Sequence, residues 1–378
     1  MNIDAFSLHF EELNDPRQSA KISYPLFDVI FLTICATITG SEGWEDIEDF
    51  GETHLEWLQS KGLFQRGLPV HDTIARIISR LAPAEFQRCF SNWMQAVSKR
   101  TDGELIAIDG KVLRGSYDRE SRQSTIHMVS AFATANSMVV GQLKTDAKSN
   151  EITAIPALIQ LLDIKGCLVS IDAIACQKDI AATILEGDGD YLLAVKGNQE
   201  TLAKAVRAEL AACIASATTR DTVHIEQQHG RTELREYHVL PATTQAERFP
   251  DWPGLKTVGV AIGYRRDKKS GQESLDYRYY ISSAELTRDR FAAAVRGHWG
   301  IENSLHWVLD ASMNEDACQI YRGDGAEIMA CMRHIALNML RSETTKKASI
   351  RRKQNIAAMS NRYLDKVLLA GFNSLSEK

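Results

Sequence analysis

Residues 104–118 read ELIAIDGKVLRGSYD and residues 167–172 read CLVSID; each opens on a short apolar run that leads to an aspartate. Leu105-Ile106-Ala107-Ile108 is too short for a helix and too apolar for an exposed strand, so it predicts a buried strand ending at Asp109-Gly110. Cys167–Ile171 predicts a second buried strand, ending at Asp172. Between the two, Ile126–Thr134 and Met138–Lys144 predict strands turned at Ala135-Asn136, and a helix starts at Asn150 or Glu151 and runs through Leu162. Further on, Cys176–Leu185 predicts a helix, Tyr191–Val195 a strand and Glu200–Ile214 a helix. The order β-β-β-α-β-α-β-α predicts an α/β fold with a mixed sheet covered by helices.

The flanks read differently. Pro25–Ile38 predicts a buried helix and Trp44–Leu58 a more polar one, followed by a break at Gly67-Leu68-Pro69. Asp72 or Thr73 then caps a helix whose Ile74, Ile77, Ile78 and Leu81 share one apolar face, with Arg76 and Arg80 on the other. Ala84–Val97 is a further helix. Short helices around a tight turn with outward arginines suit helix-turn-helix DNA binding, and equally a plain bundle with solvated arginines. Residues 216–284 alternate between turn-rich breaks and segments such as Val258–Tyr264 and Tyr277–Ile281, which predicts a β-rich insertion. Helices resume at Arg288–His298, near Glu302–Leu309 and over Ala326–Leu340. The expected division is a helical N-terminal domain (1–100), a core (101–215 plus 285–345), the insertion (216–284) and a basic C-terminal tail (346–378).

Composition narrows the class. A chain of 378 residues with 44% apolar and 25% charged residues is neither disordered nor fibrous. It opens without the basic start and apolar run of a secretory leader, and Pro25–Gly40 is too short to cross a bilayer. Seven scattered cysteines without a CxxC pair point to a reducing cytosol, with neither a disulfide frame nor a zinc knuckle. The net charge of −5 hides a gradient: residues 1–60 hold 12 acids and 2 bases, residues 341–378 hold 9 bases and 3 acids. The head therefore faces away from any polyanion and the tail toward it.

Asp109 and Asp172 sit at the carboxyl ends of buried strands, where open α/β sheets bind ligands. On neighbouring strands two carboxylates repel unless a cation or a proton intervenes, and oxygen ligands suit Mg²⁺ or Mn²⁺ over zinc. The plain alternative is that each aspartate caps the loop after its strand. The richest source of a third acid is residues 296–316, RGHWGIENSLHWVLDASMNED. There Glu302 begins an apolar stripe through Leu305 and Leu309, amid His298, Trp299, Asn303, His306 and Trp307; Glu315 and Asp316 are its rivals. A metal trio of His298, Glu302 and His306 on one helix face ranks lower, because Gly300 is expected to interrupt that helix and no flanking ligand completes a zinc site. A glycosidase-like hydrolase with Asp109 and Asp172 as acid and base ranks lower still.

Longer strings then make a family visible: ITGSEGWEDIEDFGETHLEWL (38–58), LPVHDTIARI (68–77), IAIDGKVLRGSYD (106–118), TDAKSNEITAIPALIQLLDIKG (145–166), DAIACQKDIA (172–181), GDYLLAVKGNQ (189–199), RYYISSAEL (278–286) and HWGIENSLHWVLDASMNEDAC (298–318). In these the chain resembles the DDE-class insertion-sequence transposases of the ISAs type, most closely the H-repeat-associated ones. The resemblance implies an RNase H-like catalytic core with one Asp on the first strand, a second after the fourth strand and a Glu on a late helix. Those positions are Asp109, Asp172 and Glu302 here, as catalytic ligands of Mg²⁺ or, alternatively, Mn²⁺. It also implies two-metal-ion DNA strand cleavage and strand transfer at the terminal inverted repeats of a mobile element. The implied partners are double-stranded DNA, both element ends and target, and a second copy of the chain in a homodimer on DNA. Neither a membrane nor a small-molecule substrate is implied, and the setting is the bacterial nucleoid in the cytoplasm. The alternative is a catalytically decayed relic that holds DNA without cutting it. Several relatives carry an arginine four residues before the Glu and a lysine seven after it, where this chain has His298 and Leu309; Arg296, His306 or Arg322 stand in as substitutes. Lys111 and Arg114 are candidates to neutralise the scissile phosphate, and Lys196 and Asn198 are candidates for DNA contact, with Arg76, Arg80, Arg296, His298 and His306 beside them.

Overall fold

A computed structural model describes residues 4–97, 103–116, 125–145, 151–216, 223–228 and 230–372. The expected helix start at Asn150, the 100/101 junction and the Tyr117-Asp118 end of the first-strand motif lie outside the described residues. Six helices come first: α1 (Asp4–Phe10), α2 (Leu26–Thr39), α3 (Trp44–Thr53), α4 (Leu55–Ser60), α5 (His71–Ile78) and α6 (Pro83–Val97). Then follow β1 (Leu105–Leu113), β2 (Ile126–Ala133), β3 (Met138–Thr145), α7 (Glu151–Leu161), β4 (Leu168–Ile171), α8 (Lys178–Glu186), β5 (Asp190–Val195) and α9 (Glu200–Ser216), in the order the sequence predicts. The remainder is β6 (Val223–Gln228), β7 (Arg231–Pro241), α10 (Thr243–Arg248), β8 (Thr257–Asp267), β9 (Glu273–Ser282), α11 (Arg288–Ile301), α12 (Trp307–Met313), α13 (Gly325–Ser342), α14 (Ile350–Met359) and α15 (Asn361–Phe372).

The nine strands of the described residues join one mixed sheet in the order β3-β2-β1-β4-β5-β9-β8-β7-β6. Only the β1–β4 and β4–β5 pairs are parallel, and β9 joins β5 antiparallel, so residues 223–282 extend the sheet directly. The edge at β3 is protected from α13: the Asn338 amide accepts from the Val139 N–H at 3.0 Å and donates to its carbonyl at 2.8 Å, mimicking a neighbouring strand. α13 is buried on every side, polar Arg333, His334 and Asn338 included, and packs against α2, which is apolar and equally buried. No single helix among the described residues is long and apolar enough to cross a membrane.

Four expectations are corrected. β1 does not end at Asp109, because β2 pairs with it from Ile106↔Ala133 to Leu113↔Ile126 and carries it four residues further. The α5 helix starts at His71, ahead of Asp72 and Thr73; its first N–H donates at 2.8 Å to Glu48 of α3, so the cap comes from another helix. Gly300 does not interrupt its helix: α11 passes through it, widens into a π-turn over Glu302–His306, and continues as α12. The basic C-terminal segment is folded as far as residue 372, with α14 and α15 packed against α2 and Lys61 paired to Asp365 at 2.6 Å. There Lys353 is buried and donates to the Leu340 carbonyl at 2.7 Å, so that charge serves the fold.

Candidate active site

Register brings the two aspartates together. The last parallel pair between β1 and β4 is Ile108↔Ile171, so Asp109 and Asp172 are the next residue on each strand. Past this point β4 leaves the sheet in a short 3₁₀ turn, Ala173–Ala175, and Asp172 caps it by accepting from the Ile174 N–H at 2.5 Å. The capping role anticipated as the plain alternative thus exists, and it fixes the aspartate rather than removing it from the site. Asn198, a candidate for DNA contact, donates to the Ala173 carbonyl at 2.6 Å and braces the same turn.

The glutamate arrives from across the sheet. α11 lies so close to β1 that a Cβ added at Gly297 would stand 2.4 Å from Leu105 Cδ2, which explains a glycine in mid-helix. One turn on, Glu302 opens the π-turn, a feature found mostly at functional sites. Asp109, Asp172, Lys196, His298 and Glu302 line one cleft of about 210 Å³, rimmed by Arg278 and Trp299. The Arg278 guanidinium lies 4.0 Å from the centre of the Trp299 ring. His306 Nδ1 faces Asp109 Oδ2 at 3.6 Å and Glu302 Oε2 at 3.7 Å.

Within this cleft Asp109 is crowded by other acids. Burial foremost, then the charge of Glu302 and more weakly those of Glu151 and Asp172, push the Asp109 carboxyl up to about 7, against a lowering hydrogen bond from the Gly110 N–H. Burial also holds the imidazoles of His298 and His306 below the ordinary histidine range, so both are neutral at neutral pH and cannot offset the acids. Clustered carboxylates without a paired Lys or Arg are the donor set of a hard divalent cation, and the residues present fit Mg²⁺ or Mn²⁺. Asp109, Glu302 and His306 offer ligand atoms that all lie within 4.8 Å of one another.

Other candidates sit elsewhere. Lys111, expected at the scissile phosphate, is 11% exposed and is held by Glu315 at 2.7 Å and by Asp310. The same pair removes Glu315 from the contest for third acid, and Asp316 lies 3.5 Å from Arg114, outside the cleft lining. Arg296 pairs with Glu226 at 2.5 Å on the wall of a larger adjacent groove; Arg76 is exposed on α5 and Arg80 is exposed in the turn that follows it. One acid escaped sequence reasoning: a Cβ at Gly110 would stand 2.1 Å from Glu151 Oε1, so a fourth carboxylate presses on the strand beside Asp109. The Asp-Gly step opposite an acidic helix start was the available signal.

Fold and site define a mixed α/β protein whose sheet and late helix build an acidic cleft. The model described as "Transposase DDE domain" matches residues 100–339, and the one described as "DDE_Tnp_1-associated" matches residues 7–94. The chain belongs to the DDE transposase family, of the insertion-sequence type. It is 48% identical over 372 residues to "H repeat-associated putative transposase YhhI" of Escherichia coli strain K12, covering 97% of this chain and 98% of that one. It is 46% identical to "Putative transposase YncI" of Escherichia coli O157:H7 over 97% of this chain and 95% of that one. A piggyBac transposase synaptic complex with hairpin DNA aligns at a TM-score of 0.42 and 12% identity, covering 97% of this chain and 81% of that one, too remote to carry an argument.

Proposed function

We propose that this chain is the transposase of an insertion-sequence or H-repeat element, binding the terminal inverted repeats and carrying out two-metal-ion strand cleavage and strand transfer. The observation that carries the reading is the parallel register that makes Asp109 and Asp172 neighbours while the π-turn brings Glu302 to the same cleft. In this reading strands β1–β5 form an RNase H-like core over residues 101–215 and 285–345. Residues 1–100 are a helical associated domain, 216–284 an insertion and 346–378 a basic C-terminal segment. Asp109, Asp172 and Glu302 would hold the ions, which when bound activate water or a 3′-hydroxyl and stabilise the leaving oxygen. Lys196 and Arg278, on the cleft wall, meet the scissile strand's phosphates, and the neutral ring of His298 closes the floor against water. Asn198 positions Asp172 through its turn. Two copies of the chain pair the two element ends at the bacterial nucleoid. All three acids are present, which supports catalysis over a decayed relic.

The test uses purified full-length protein and a duplex carrying the inverted repeat that flanks its gene. The expected result is Mg²⁺- or Mn²⁺-dependent nicking at the repeat end, with Asp109→Asn binding the duplex normally and cutting nothing. Cleavage by that variant at the wild-type rate would sink the proposal.

A further inference from the structure

His306 faces two of the cleft's acids, Asp109 and Glu302, and its burial leaves it ill placed for the DNA contact that the resemblance suggests. Its side chain is 8% exposed, and Nε2 is buried without a hydrogen-bond partner among the described residues. Nδ1 stands 3.6 Å from Asp109 Oδ2 and 3.7 Å from Glu302 Oε2, too far for a hydrogen bond to either. Two ligands each about 2.1–2.2 Å from one ion stand roughly 3.0–3.7 Å apart at bond angles near 90–120°. The spacing is thus that of donors around a common cation. The π-turn produces it: its i→i+5 hydrogen bond, Trp307 N–H to the Glu302 carbonyl, sets Glu302 and His306 nearly above one another on the helix.

We propose that His306 Nδ1 is a direct ligand of the divalent ion held between Asp109 and Glu302, giving that ion one nitrogen donor and the site a preference for Mn²⁺ over Mg²⁺. The inference rests on the metal-dependent reading of the cleft and adds the donor that selects among metals. Mg²⁺ demands oxygen donors and keeps its waters, whereas Mn²⁺ accepts imidazole more readily. His298, the histidine that lines the cleft, is outside this donor group.

The test is Mn²⁺ binding by the full-length protein without DNA, followed by electron paramagnetic resonance, with Mg²⁺ as competitor. Wild type should show electron spin-echo modulation from one imidazole nitrogen, altered in protein labelled with ¹⁵N-histidine. His298→Gln should keep the modulation. His306→Gln should lose it, bind Mn²⁺ about tenfold or more weakly, and keep its Mg²⁺ affinity within about threefold. Modulation absent from labelled wild type, or retained in His306→Gln, overturns the proposal without reference to activity. Asp109→Asn separates the two levels: undiminished Mn²⁺ binding in that variant overturns the metal reading of the whole cleft. Loss there, with no loss in His306→Gln, overturns only the nitrogen ligand.

Discussion

Lys111→Met is expected to destabilise the protein by about 3–5 kcal/mol, the range for a buried ion pair stripped of one partner. Lys111 lies two residues after Asp109 on β1, so both side chains leave the same face of the sheet. Its ammonium donates to Glu315 Oε2 at 2.7 Å and to the Asp310 carboxylate, tying β1 to the end of α12. Glu315 is the partner that matters: its side chain is 2% exposed against 36% for Asp310, so methionine leaves a carboxylate buried without its cation. The surface partner contributes less than about 1 kcal/mol. In the double variant Lys111→Met/Glu315→Leu the stranded charge is gone, and most of the loss should return. The sign with pH is also fixed. Burial lowers the Lys111 value, but Glu315 and Asp310 outweigh it and raise the group above the ordinary lysine range. Its contribution is therefore complete below that range and disappears as pH rises through the raised value. Urea denaturation of metal-free protein at pH 7 measures the loss. A single variant within about 1 kcal/mol of wild type, or a double variant no more stable than the single, refutes the reasoning.

Three further outcomes are expected. Asp109 has a folded-state value of about 7 against an ordinary 3.8, so ionising it costs stability progressively as pH rises from about 4 through 7. Metal-free Asp109→Asn should therefore exceed wild type at pH 8 by up to about 4 kcal/mol and lose that advantage near pH 4; a variant less stable than wild type at pH 8 contradicts this. Asn338→Leu strands both backbone groups of Val139 and should cost about 2–4 kcal/mol in urea denaturation, with faster amide exchange along β3; unchanged stability would mean the edge has another partner. Asn198→Ala should change stability by only about 1 kcal/mol yet raise the metal concentration needed for half-maximal cleavage, because the Asp172 turn loses its brace; an unchanged metal requirement removes Asn198 from the site.

The five strands of the core were legible because each is a short apolar run bounded by turn residues, and burial on both faces demands such runs. β1 was read four residues short because Gly110 and Lys111 look like a turn, and what keeps them in the strand is pairing with β2, a partner the local pattern does not contain. β6 and β7 escaped detail for the same reason: sequences such as RTELREYHVL are polar and half exposed, held by ladder bonds to β8. Gly300 suggests a break, but a helical glycine costs only about 1 kcal/mol, which packing along α11 outweighs. Of the site, the residue types and the places of Asp109 and Asp172 just after apolar runs are readable, whereas the set of Asp109, Asp172 and Glu302 comes from the family resemblance, with Glu315 and Asp316 open as rivals of the glutamate. The partners of these residues are not readable. Lys111 and Glu315 are 204 positions apart, and no local pattern says that a lysine beside the acids serves a buried glutamate and not a phosphate. The nearness of His306 to Asp109 likewise depends on a π-turn that propensity does not announce.

The central claim is that Asp109, Asp172 and Glu302 act together on DNA. The most direct measurement is single-turnover, metal-dependent cleavage of the flanking inverted-repeat duplex by Asp109→Asn, Asp172→Asn and Glu302→Gln, with Asp316→Asn as the acid outside the cleft. The three cleft variants should bind the duplex and leave it uncut while Asp316→Asn cuts at close to the wild-type rate. Full cleavage by any of the three, or loss confined to Asp316→Asn, would contradict it.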